Sequence, residues 1–151
     1  MGEFVAVAGV AFDEIWSRGW SCYLREEYAE AIACFREAIT IDPESHAAHY
    51  ALASALSDDG EMEEAELEFR RALALRDSSL SWAGLALLYL RAGKIELAEQ
   101  THLEAMRLEP DSRDRVEAYA DYLWDVGREE ESRAQSMRAT QLYPDSRRDI
   151  Q

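Results

Sequence analysis

The chain has 151 residues, 48% of them hydrophobic, which is long enough for one well-cored domain and too short for two ordinary ones. It carries 31 acidic against 16 basic residues, a formal net charge of -15. So acidic a surface repels phosphate backbones and anionic head groups, which excludes nucleic acid and membrane surfaces as expected partners and favours a basic or neutral-apolar protein segment.

No apolar run approaches the roughly eighteen residues of a membrane span. An apolar stretch runs from Phe4 to Phe12 with Glu3 before it, which makes a poor secretory signal because no basic residue precedes it. The structure of residues 1–11 is left open: either they extend the first helix backwards, or they form a strand-like arm, since Val5, Val7 and Gly9 disfavour a helix. Cys22 and Cys34 are too few for a disulfide framework and lack zinc spacing, so a reducing cytoplasm is the expected compartment.

From residue 12 onward the chain repeats itself. In the first repeat, 12–45, Tyr28, Ala31, Ile32, Phe35, Ala38 and Ile39 form one apolar stripe that ends at Asp42-Pro43. The preceding helix reads in two registers. A gapless one aligns Ile15, Arg18, Gly19 and Cys22 with the core positions, and a shifted one aligns Trp16, Gly19, Trp20 and Tyr23. The gapless register is preferred, because Gly19 then takes the close-approach place of Ala53, Ala86 and Ala120. The second repeat, 46–78, supplies Leu52, Ala53 and Leu56, then Gly60, then Ala65, Phe69, Ala72 and Leu75. The third, 79–112, has Trp82, Leu85, Ala86 and Tyr89 on one helical face, then Gly93, then Ala98, His102, Ala105 and Leu108 before Pro110. The fourth, 113–146, gives Val116, Tyr119, Ala120 and Leu123, then Gly127, then Ser132, Ser136, Ala139 and Leu142; residues 147–151 form a tail. Ala31, Ala65, Ala98 and Ser132 are separated by 34, 33 and 34 residues, and both the Ala38 and the Ile41 columns keep the same intervals.

The Trp-x-x-Leu-Ala-x-x-Tyr, Gly, Ala-x-x-x-aromatic-x-x-Ala and Pro elements of residues 79–112 resemble the tetratricopeptide repeat. That resemblance, which covers residues 12–146, implies an all-α fold of about eight helices: a right-handed α-solenoid of helix-turn-helix hairpins forming a single domain. Either the fourth repeat caps itself or the chain is cut from a longer array.

The resemblance also implies a concave groove lined by the first helix of each repeat. In the gapless register its residues are Asp13, Trp16, Trp20 and Tyr23; Tyr50 and Ser54, with Ser57; Leu80, Leu87 and Leu90; and Asp114, Glu117, Asp121, Trp124 and Asp125. Such a groove is aromatic, then aliphatic, then acidic, and suits a protein or peptide ligand with apolar-aromatic anchors and basic residues. The bland alternative makes Trp16, Trp20 and Tyr23 core residues and the aspartates a solvated face. The carboxylate clamp of the family's chaperone-tail binders is not matched, since Trp16, Trp20, Ser54, Ala83 and Leu87 offer no cation.

Other motifs fall short. His46 and His49 have metal-ligand spacing but no third ligand. Asp58-Asp59-Gly60-Glu61 lacks the earlier positions of a calcium loop, and Gly93-Lys94-Ile95 lacks the rest of a phosphate loop. His102 replaces an aromatic core residue. No cofactor, metal or catalysis is expected. The expected function is a non-catalytic adaptor or scaffold. The alternatives are a small acidic secretion-type chaperone, or a module that self-assembles by placing its 1–11 arm in another copy's groove.

Overall fold

The computed structural model describes residues 2–142, with side chains from residue 11 onward. The end of the fourth repeat, 143–146, and the 147–151 tail lie outside the described residues, as do the side chains before residue 11. Eight helices are described: α1 (Gly2–Leu24), α2 (Tyr28–Ile41), α3 (His46–Asp59), α4 (Met62–Leu75), α5 (Ser79–Arg91), α6 (Ile95–Leu108), α7 (Arg113–Asp125) and α8 (Glu129–Leu142). No strand occurs among the described residues. The backbone of residues 2–11 belongs to α1. None of these helices is long and apolar enough to cross a membrane.

Consecutive helices pair as hairpins, and the chain divides into two compact units, Met1–Asp77 and Ser78–Gln151. In the first, α2 packs against α3 as well as α1; in the second, α7 packs against both α5 and α6. The repeating small residues explain the pairing. Ala31, Ala65, Ala98 and Ser132 are buried, as are Ala38, Ala72, Ala105 and Ala139, because a larger side chain there would hold the backbones apart. Ser132 keeps the small size and satisfies its hydroxyl by donating to the Ala120 carbonyl at 2.8 Å. The third periodic column behaves differently: Ile41, Leu108 and Leu142 are half-buried and Leu75 is exposed, so period alone does not mark the core.

Gly19 decides the register of α1. A Cβ there would stand 2.7 Å from Phe35 Cε1 and 3.2 Å from Cys34 Cβ, closer than carbon atoms pack. Ile15, Gly19 and Cys22 are buried, as the gapless register requires. Arg18, aligned with Leu85 in that register, is instead exposed: its Nε donates to Cys34 Sγ at 3.2 Å and its Nη2 to Glu37 at 3.0 Å. Its long charged side chain lies along the hairpin with the guanidinium in water.

The hairpin turns share one left-handed residue. Gly60, Gly93 and Gly127 hold it at φ of 94°, 71° and 80°, while in the first repeat Glu26 takes the place at φ 62°. A side chain in that region costs about 1–2 kcal/mol. Glu26→Gly is therefore expected to stabilise the first unit by roughly 1 kcal/mol, after the entropy glycine adds to the unfolded chain. A higher urea midpoint at unchanged slope is the check.

Candidate interaction surface

In the first unit the predicted residues of α1 form a continuous aromatic ridge. Phe12 stacks on Trp16 at 5.9 Å, Trp16 meets Trp20 edge-on at 5.7 Å, and Trp20 meets Tyr23 edge-on at 5.3 Å. Beneath them lies Phe35 of α2, 5.6 Å from Trp16 and 5.5 Å from Trp20. Trp16, Trp20 and Tyr23 are each half-buried, so one side of the ridge roofs the core and the other meets solvent. Tyr23 donates to Asp58 on α3 at 2.5 Å; burial, and then the Asp58 carboxylate, push its hydroxyl well above the usual tyrosine range. Tyr50 is half-buried with its ring edge-on to Phe69 at 5.9 Å, and Ser54 donates back to the Tyr50 carbonyl at 3.0 Å. Asp13 is exposed, and Ser57 is buried.

In the second unit the predicted set lies on α5 and α7, which pack side by side. Leu80 and Leu87, two turns apart on α5, are 44% and 46% exposed, and Trp124 on α7 is 55% exposed. These fractions are far above what large apolar side chains keep in a core. Leu90 and Glu117 are half-buried, while Asp114, Asp121 and Asp125 are exposed. By repeat position Leu80 answers Asp114, Leu87 answers Asp121, and Leu90 answers Trp124.

Elsewhere arginines neutralise many of the acids: Glu37 pairs with Arg18, Glu64 with Arg36, Glu104 with Arg107, and Glu129 with Arg133. On α7 Glu117 pairs with Arg113 at 2.6 Å. Asp114, Asp121 and Asp125 have no ion-pair partner among the described residues, so their negative field is uncompensated. An open depression of about 600 Å³, lined by Glu109, Pro110, Asp111, Ser112, Arg113 and Asp114, lies at the start of α7. The sequence reading did not anticipate it, because it is shaped by the α6–α7 turn and not by a helical face.

The α7 backbone is firmly held. Tyr119 donates to Glu99 on α6 at 3.0 Å, and Arg128 bridges Glu99 and Glu131 at 2.5 and 2.7 Å. Burial, then the Glu99 hydrogen bond, push Tyr119 up to about 12. Among the described residues no group of three or more His, Cys, Asp or Glu side chains could hold a metal.

Family models for the TPR repeat match residues 19–60, and models for the tetratricopeptide repeat match 46–78 and 81–116. The chain belongs to the tetratricopeptide repeat family. A curated relative, the TPR repeat-containing thioredoxin TTL4 of Arabidopsis thaliana, is 36% identical over 103 residues, 68% of this chain and only 15% of that protein's length. The solved structure of MamA residues 41 to the end, from Desulfovibrio magneticus RS-1, has a TM-score of 0.76 at 14% identity, covering 89% of this chain and 78% of that one. YrrB, described as a TPR protein with an unusual peptide-binding site, has a TM-score of 0.65 at 18% identity, covering 86% and 68%. At such identities these likenesses concern the fold, which is the α-solenoid class built of tetratricopeptide hairpins.

Proposed function

We propose that this tetratricopeptide repeat protein is a non-catalytic, cytoplasmic adaptor that holds a segment of a partner protein against the first helices of its repeats. One observation carries the reading: Leu80 and Leu87 on α5 and Trp124 on α7, two helices that pack together, stand in solvent, and Asp114, Asp121 and Asp125 of α7 have no ion-pair partner among the described residues. Exposed apolar side chains next to uncompensated carboxylates complement a segment with apolar or aromatic anchors and Lys or Arg. YrrB's description as peptide-binding supports the same use of the fold.

A second reading, a secretion-type chaperone for apolar helices, is favoured by the half-open aromatic ridge of Trp16, Trp20 and Tyr23. A peptide array at low and high salt separates the two. Adaptor binding selects basic-aromatic peptides and weakens with salt, whereas chaperone binding selects apolar helices and ignores it. For a selected peptide, Trp124→Ala is expected to weaken affinity by roughly 30-fold or more, the scale of a hot-spot anchor. Asp121→Lys is expected to weaken it and flatten its salt dependence. Full affinity in both variants, read by fluorescence anisotropy, would remove this face as the site.

A further inference from the structure

The aromatic ridge of the first unit offers more hydrogen-bond donors than free acceptors. Trp16 and Trp20 of α1 make ring contacts but no hydrogen bond among the described residues, and neither indole nitrogen is sealed from water. The Tyr50 hydroxyl of α3 is open in the same way. An indole nitrogen donates and never accepts. The polar groups that accompany the ridge are engaged: Asp58 accepts from Tyr23 at 2.5 Å, and Ser54 turns its hydroxyl onto the Tyr50 carbonyl at 3.0 Å. Trp16 stands at 79° to Trp20, and Trp20 at 80° to Tyr23, with centroids 5.7 and 5.3 Å apart. Ring faces and edges therefore alternate along the ridge. Two residues of a polyproline II strand advance about 6 Å, which matches that step.

We propose that the ridge binds an extended, proline-rich segment of a partner protein flanked by Arg or Lys. Polyproline II makes no internal hydrogen bonds, so its carbonyls are free to accept from the indoles, and proline has no N–H to be left without an acceptor. An α-helix spends its carbonyls on its own backbone and has none to give these donors. Proline rings pack on aromatic faces, and the preformed strand loses little entropy on docking. Asp13 is exposed one turn before Trp16 and has no ion-pair partner among the described residues. It supplies the charge that a flanking Arg or Lys complements. This deepens the adaptor reading, since it rests on a first helix holding a partner segment and names the segment for the first repeat.

The test titrates the ¹⁵N-labelled full chain with synthetic peptides: Pro-x-x-Pro repeats flanked by Arg, the same repeats flanked by Glu, and an amphipathic Leu-rich helix. The Arg-flanked peptide is expected to move the indole N–H signals of Trp16 and Trp20 and to leave that of Trp124 in place. Trp20→Phe keeps an aromatic ring and loses the donor. It is expected to weaken that peptide roughly tenfold, the scale of one interfacial hydrogen bond. Asp13→Lys is expected to weaken it and remove its preference over the Glu-flanked form, whereas Trp124→Ala is expected to leave it unchanged. Indole signals that stay still at saturating peptide, equal affinity in Trp20→Phe, or tighter capture of the helix at the ridge would overturn the proposal. So would Trp16 and Trp20 signals that move with protein concentration alone, which would mark a second copy as the occupant. Should Trp20→Phe not fold, the indole shifts of the natural chain decide. A silent ridge beside a Trp124 face that still captures basic-aromatic peptides would overturn this assignment and leave the adaptor reading standing.

Discussion

Phe35→Ala is expected to cost the first unit about 4 kcal/mol, a large fraction of the stability of a unit this size. Phe35 has no exposed surface and is the one ring against which both Trp16 and Trp20 pack from above. Gly19 closes the same space from the side. Truncation to Ala therefore opens a cavity under a ridge that cannot collapse into it, because α1 already lies at backbone contact distance where Gly19 faces the ring. The lost transfer energy and the residual cavity add. Segment-resolved hydrogen exchange should show protection falling across α1–α4. Phe35→Leu should recover much of the loss; if Phe35→Ala exchanges like the natural chain, the ridge does not depend on its floor.

The second large effect is acid sensitivity of the second unit, and its source is His102. This residue occupies the repeat position of Phe35 and Phe69, buried beside the rings of Tyr122 at 5.2 Å and Tyr119 at 6.0 Å. Burial first, and then the Arg115 charge, lower it from 6.5 to about 4. The folded form thus refuses a proton that the unfolded chain accepts. Above pH 6.5 neither state is protonated and stability is constant; as pH falls from 6.5 towards 4 the unfolded chain gains a proton and stability is lost. The full loss is on the order of 3 kcal/mol. His102→Phe should remove this slope and leave the remaining acid dependence intact, seen as a difference between the two urea-unfolding series across that range. Equal slopes in both proteins would show that His102 does not carry the effect.

Much of the architecture is legible in the residues because it follows from local pattern. Alanines returning at intervals of 34, 33 and 34 mark the helix crossings, and the glycines mark the turns, since only a residue tolerant of positive φ ends these helices compactly. The first repeat hides both signals. Glu26 fills a turn position usually held by glycine, and the glycine that is present, Gly19, lies mid-helix, where only contact with Phe35 explains it. The predicted interaction residues follow from register, and register follows from Gly19. Their exposure does not: Trp16 and Trp124 read alike as aromatic positions on first helices, yet one roofs Phe35 and the other stands 55% exposed.

By itself the order of amino acids determined the hairpins, their number among the described residues, and the face each helix offers its neighbours, because apolar period and turn chemistry act within a few residues of each other. Only the tertiary structure decided which charges cancel and which protons are held. Glu99 and Glu96 read alike as helix carboxylates of α6, yet folding brings Arg128, 29 residues along the chain, to Glu99 at 2.5 Å. Likewise His49 and His102 are chemically identical side chains. One meets two acceptor oxygens and the other two tyrosine rings, because the strength and sign of an electrostatic interaction depend on distance and burial, which no local pattern records.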